Sequence, residues 1–238
     1  MTEITVKVNK CDASRSRRLP PVTYESLLGP AWSRLPAAVR CRFASHDDIH
    51  GAGTRIYAGE VLATELSLAG VCLAHLARIV GAPMPFTGGA TGATVVAVTN
   101  VPAFAPDHID AQVWTRSYAR PGTFPQVIQS AKCFAGATGL EERLGFGLVM
   151  RLTTSAEGET GAAELVFTSA GYRWRLGPFE IPLPAMLSPG HCEVRHRDEG
   201  AGYFTFTLTI THPVFGRLLR QVARYHDQPA PTAGGETP

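Results

Sequence analysis

Lysine is scarce in this 238-residue chain: nineteen of its 22 basic residues are arginine and three are lysine. With a formal net charge of +2 there is no long basic face, so a nucleic-acid partner is not expected. The densest basic run, "SRSRRLPP" (Ser14–Pro21), sits beside prolines and reads as a solvated arm. No C-x-x-C pair occurs among the five cysteines, Cys11, Cys41, Cys72, Cys133 and Cys192. An odd, scattered set excludes a disulfide framework and suits small core thiols in a reducing cytoplasm. No run approaches the ~18 apolar residues of a membrane span, and "MTEITVKVNK" lacks the apolar core of an export signal. A cytoplasmic protein with no membrane partner is expected.

Standard catalytic signatures are also missing: no G-x-G-x-x-G opening a helix, no phosphate-loop lysine motif, no G-x-S-x-G and no H-E-x-x-H. The glycine-rich "FTGGATGAT" (Phe86–Thr94) leads into a strand-like segment, whereas phosphate binding calls for helix N-terminal amides. "SHDDIH" (Ser45–His50) holds metal-ligand residue types in a loop-like setting that favours turn capping. Neither a cofactor nor a metal is expected.

What the chain does have is alternation. Ten segments read as strands: 54–66, 91–100, 111–118, 126–134, 140–153, 161–169, 172–176, 179–183, 191–197 and 203–212, separated by short turns of Gly, Pro and Asp. Two short helices within Thr23–Phe43, broken at Gly29, Pro30 and Pro36, precede them, and a third helix spans 67–80. In that third helix Leu68, Cys72, Leu76 and Ile79 recur at helical spacing and form the expected packing stripe, with His75 and Arg78 on the wet side. Sequential antiparallel strands must protect their edges. The fold expected is therefore mainly β: a single antiparallel barrel of about ten strands, lipocalin-like in general form, with N-terminal helices and one inserted helix. The domain would cover 23–226, between a flexible arm (1–22) and a disordered tail (227–238).

Polar residues on apolar strand faces are the candidates for chemistry. In "GLEERLGFGLVMRL" the even positions Leu140, Leu144, Phe146, Leu148, Met150 and Leu152 are apolar, and Glu142 interrupts them. An unpaired charge there costs several kcal/mol, roughly, which asks for a reason. Gln112, Trp114, Arg116 and Tyr118 share a face, setting a guanidinium between two aromatic rings. His212 ends the apolar row Phe204, Phe206, Leu208 and Ile210, and Glu60 lies in register with Ile56, Ala58 and Leu62 as a weaker copy of the Glu142 pattern. The alternatives are a structural ion pair for Glu142, a strand-end hydrogen bond for His212 and an exterior cation stack for Arg116. Burial alone would raise the Glu142 pKa and make it an acid; a nearby arginine would make it a base.

"LLGPAWSRLPAAVR" (27–40), "WTRSY" (114–118), "GLEERLG" (139–145), "YRWRLGPFEIPLP" (172–184) and "FTLTITHPVFGRLLRQ" (206–221), in that order, resemble a bacterial domain of unknown function found fused behind saccharopine-dehydrogenase-like reductases. In size, strand count and isolated interior polar residues the chain is also similar to the spiroacetal cyclases of polyketide biosynthesis. That second resemblance implies a cofactorless barrel enzyme that closes a hydroxy-ketone polyketide into a spiroacetal. Glu142 would be the acid, Arg116 its positioning partner and His212 or Glu60 the base, with Trp114, Tyr118, Phe204 and Phe206 as the apolar wall; a homodimer stays open. Two other readings remain: a lipocalin-like carrier of an apolar small molecule, and a docking domain for a separately encoded reductase.

Overall fold

The computed structural model describes residues 23–44, 54–79, 84–85, 91–102, 110–134 and 139–227. The arm, its basic run, Cys11, the "SHDDIH" segment, most of the glycine-rich stretch and all of the tail after Asp227 lie outside the described residues. The chain opens with α1 (Tyr24–Leu28), a 3-10 turn (Gly29–Arg34) and α2 (Ala37–Phe43). A capping box starts α1, in which Thr23 and Ser26 bond each other's backbone amides. Pro36 immediately precedes α2, so the proline restarts the helix instead of interrupting it.

Eleven strands follow: β1 (Thr54–Leu66), then α3 (Leu68–Ile79), β2 (Gly92–Pro102), β3 (Asp110–Tyr118), β4 (Gln126–Phe134), β5 (Leu140–Gly145), β6 (Leu148–Glu157), β7 (Glu164–Leu176), β8 (Phe179–Leu183), β9 (His191–Gly200), β10 (Tyr203–His212) and β11 (Gly216–Asp227). Each pairs antiparallel with its sequence neighbour except around β8, and β1 pairs with β11. The first half of β7 pairs with β9, while its second half, Tyr172–Leu176, carries β8 as an outside flap. Pairing of β6 with β7 completes the circle, so ten strands form a closed antiparallel barrel with β8 outside it. Closure removes the free edges that a sheet of this length would otherwise expose.

The expected ten-strand barrel is therefore present, with different components. The stretch 140–153 is two strands, because Gly145, Phe146 and Gly147 all take positive φ (107°, 33° and 81°) and reverse the chain. Conversely, 161–169 and 172–176 are one strand bent at Gly171. β11 carries Arg217, Arg220, Gln221 and Arg224 among its apolar residues, and the weak alternation hid it. Exposure also corrects the cysteine expectation: Cys133 and Cys192 are buried, whereas Cys41 and Cys72 are exposed.

The helix α3 does not turn its expected stripe to the barrel, although His75 and Arg78 are exposed as expected. Gly70, Ala74 and Ala77 are the buried positions, while Leu68, Leu76 and Ile79 are 89%, 61% and 77% exposed. A Cβ on Gly70 would lie 2.0 Å from the Leu218 carbonyl oxygen, so only glycine permits this approach to β11. Periodicity revealed a stripe; the small face won the barrel because it fits closely.

The barrel ends differ. At one, α1 and α2 insert Tyr24, Leu28, Val39 and Phe43 into the core as a plug. Arg42 fixes the plug through Asp198 (2.8 Å) and Asp227 (2.7 Å), and Arg34 bonds the Gly158 carbonyl in the β6–β7 turn. Beneath lies an aromatic floor in which His196 stacks on Phe204 and meets Phe43 and Phe206 edge-on. The other end, ringed by α3 and the β3–β4, β5–β6 and β10–β11 turns, opens into a cavity. Among the described residues no helix is long and apolar enough to cross a membrane.

Candidate functional site

The cavity encloses about 360 Å³, within the range of small-molecule sites. Its floor is Phe43, Trp114 and Phe206, and Leu73, Leu76, Met84 and Leu187 border its mouth. On this mainly apolar surface the charged lining residues are Arg116, Lys132 and Glu142, from the adjacent strands β3, β4 and β5. Register brings them together: Lys132 stands opposite Glu142, and Trp114 opposite Ser130.

Glu142 Oε1 accepts from the Ser130 hydroxyl at 2.6 Å, and Oε2 lies 3.3 Å from Lys132 Nζ. Arg116 donates to the same Ser130 Oγ at 3.1 Å and its other terminal nitrogen lies 4.0 Å from Oε1. Lys132 Nζ also sits 4.6 Å from the centre of the Trp114 ring, a favourable cation–π position. Burial pushes the Glu142 pKa up, but the Lys132 ammonium, the Arg116 guanidinium and the Ser130 hydrogen bond pull it further down. The net position is below an ordinary glutamate, so the group is a carboxylate. For Lys132, burial is the largest influence and the Arg116 charge adds to it; despite Glu142, its ammonium holds its proton less tightly than usual. Cys192, on the opposite wall, has its thiol pushed up to about 12 by burial and by the Glu142 charge, so it is a neutral lining group.

The cluster therefore holds two cations and one anion, a formal +1 facing an apolar space. It places a proton donor (Lys132) beside a proton acceptor (Glu142), with Arg116 free on its remaining faces to meet an electron-rich ligand oxygen. A second polar chain runs along the wall near the mouth, where the Tyr118 hydroxyl donates to Gln221 Oε1 (3.1 Å) and Gln221 Nε2 donates to Thr64 Oγ1 (3.2 Å). Among the described residues no group of three His, Cys, Asp or Glu is placed to hold a metal ion.

Of the residues singled out in the sequence, Glu142, Arg116, Trp114, Tyr118 and Phe206 line the cavity together. Phe204 does not: it is fully buried in the floor, stacked between His196 and Tyr225 beneath the Arg42 guanidinium. His212 is also misplaced by the sequence reading. Its Nδ1 accepts the Val214 amide (3.1 Å) and its Nε2 donates to the Met186 carbonyl (3.3 Å), so both ring nitrogens secure turns and neither faces the cavity. Glu60 is exposed on the outer barrel face, because Tyr57 and Val61 take the inward parity of β1. Neither can serve as a base in this site.

Lys132 is the residue sequence reasoning missed. Two signals were available. Apart from Lys7 and Lys10 it is the only lysine in the chain, and a hairpin pairing Phe134 with Leu140 puts Lys132 directly across from Glu142. The alternation of β4 obscured it, since the inward row Gln126, Ile128, Ser130, Lys132 and Phe134 is more polar than the outward one.

No curated protein and no solved structure matches this chain. One family model does, over residues 35–224, which takes in β1 to β11 almost whole, the plug helix α2 and every charged residue of the cavity. The chain accordingly belongs to the DUF4166 family, whose description is a domain of unknown function.

Proposed function

We propose that the barrel is an enzyme that binds one apolar, oxygenated small molecule and closes a ring on it by proton transfer, without a nucleotide cofactor. The observation that carries this reading is the ammonium–carboxylate pair, 3.3 Å apart, exposed to an apolar cavity of about 360 Å³. A pair needed only to knit two strands together gains nothing from facing space. The weakened hold of Lys132 on its proton suits an acid, and the ionised Glu142 suits a base. This exchanges the role of Glu142 expected from sequence.

The specific reaction proposed is spiroacetal formation from a hydroxy-ketone of polyketide type. One substrate hydroxyl adds to the ketone and gives a hemiacetal. Lys132 then protonates the hemiacetal hydroxyl, which leaves as water, and the oxocarbenium carbon is captured by a second hydroxyl whose proton passes to Glu142. Transfer of that proton back to Lys132 restores the pair, and the balance is the loss of one water. Arg116 keeps Glu142 ionised and oriented, while Trp114, Tyr118 and Phe206 fold the chain and limit water. Cytoplasmic location remains part of this proposal.

The formal +1 of the cluster favours a second reading, a carrier whose ligand presents a carboxylate or carbonyl to Arg116. An LC-MS time course against an open dihydroxyketone separates the two. Wild type is expected to form one stereoisomer of the dehydrated product and Glu142→Gln to lose it by 10²- to 10⁴-fold, the usual range for a general base. Unchanged substrate in both samples, with tight ligand retention, would leave only the carrier.

A further inference from the structure

The two barrel ends differ in chemistry as well as in closure. At the open end every connection carries a large apolar side chain at or near its tip, exposed to solvent: Leu76 and Ile79 on α3, Phe124 between β3 and β4, Phe146 between β5 and β6, Leu187 before β9 and Phe215 between β10 and β11. Their exposures run from 61% for Leu76 to 89% for Phe124. Phe146 keeps its position at a φ of 33°, where glycine or asparagine would relieve the backbone. Among the described residues, the turn and helix tips of the plugged end carry no comparable set.

The open rim also carries an excess of positive charge. Behind the apolar tips Arg217 and Arg220 pair with Glu65 and Arg175 with Glu180, and with Arg78 and Arg120 nearby the arginines of the rim outnumber its carboxylates. At the plugged end the acids are balanced, since Asp198 and Asp227 pair with Arg42, Glu157 and Glu164 with Arg195, and Glu199 with Arg224. An apolar rim backed by arginines complements a surface that is greasy within and anionic at its headgroups.

We propose that the open end of the barrel docks on an anionic lipid surface, with the apolar tips inserted among the acyl chains and the arginines at the phosphates, so that the cavity mouth faces the bilayer. A lipid surface is favoured over a protein partner because the tips project singly from separate connections, and a bilayer receives isolated projections without matching pockets. The exposed apolar stripe of α3 gains a purpose: Leu68, Leu76 and Ile79 join the rim. Absence of a spanning segment led to the expectation of no membrane partner; peripheral docking through turn tips needs no span. The inference concerns the rim alone and stands whichever chemistry the cavity performs.

Vesicle co-sedimentation of the full chain tests it, with phosphatidylcholine alone and with phosphatidylserine added at 30 mol%, at low and high salt. Wild type is expected to sediment with the serine-containing vesicles, several-fold less at high salt. The double variant Phe124→Ser/Phe215→Ser is expected to lose binding at least tenfold, while Tyr203→Ser at the plugged end binds as wild type. Circular dichroism of each variant checks that the barrel is retained. Failure to bind either vesicle at low salt overturns the proposal. So does binding that the rim variants leave intact, or a light-scattering mass showing that the rim joins two copies or a protein partner and is thereby hidden.

Discussion

Among the buried ionisable side chains of this barrel, Glu142 in the cavity wall and His196 in the floor are treated in opposite ways. Glu142 has a hydroxyl, an ammonium and a guanidinium around it and remains charged. His196 has 0% exposure, rings on three sides and, among the described residues, no hydrogen-bond partner for either ring nitrogen; burial and the nearby Arg42 charge drop its pKa to about 3. Burial is common to both, so burial is not what marks a site. What distinguishes Glu142 is compensation of its charge together with space in front of it, and the floor has neither.

The largest expected effect follows from breaking that compensation. Lys132→Met leaves the Glu142 carboxylate with Ser130 and a more distant Arg116, and should destabilise the fold by about 3–5 kcal/mol. Adding Glu142→Leu should restore most of the loss, because an apolar pair of similar volume replaces the ions. Urea denaturation of the single and double variants measures both.

The floor supplies a pH effect of intermediate size. His196 has a lowered folded pKa, so its contribution to stability is intact above the unfolded value near 6.5 and falls as the unfolded chain takes up a proton. At pH 5 the loss should be about 2 kcal/mol, from 1.36 kcal/mol for each pH unit below 6.5. Glu142, with its own lowered pKa, contributes in the same direction only at more acidic pH, below the ordinary glutamate value of 4.5. Melting temperatures between pH 7.5 and 5 should fall in wild type and fall less in His196→Phe.

That same His196→Phe substitution should be neutral to stabilising at pH 7.5, by up to about 1–3 kcal/mol, since it removes an unpartnered polar ring from an aromatic layer. The smallest effect belongs outside the core. Glu60→Gln should change stability by less than about 0.5 kcal/mol and leave turnover alone, as expected for an exposed residue away from the cavity.

Sequence showed the barrel more clearly than the site because alternation is local and assembly is not. β1, β4 and β10 have the bounds that alternation predicted, and the Trp114–Arg116–Tyr118 face is the cavity wall. Parity also placed Glu142 inside correctly, although its segment turned back at Phe146, because Glu142 and Met150 pair across the resulting hairpin. His212 and Glu60 failed for different reasons. The first shares the apolar parity but ends its strand in a turn that claims both nitrogens; the second follows apolar neighbours that themselves face out. Lys132 needed the β4–β5 register, a relation between strands that no single-strand pattern contains.

The most direct test is product formation by the Lys132→Met/Glu142→Leu double variant, compared with wild type on a dihydroxyketone, with ligand retention followed by native mass spectrometry. The account predicts a folded double variant that still retains the apolar ligand and forms the cyclised product no faster than a blank. Product at the wild-type rate would show that the pair only holds two strands together, and would contradict the assignment of the chemistry to it.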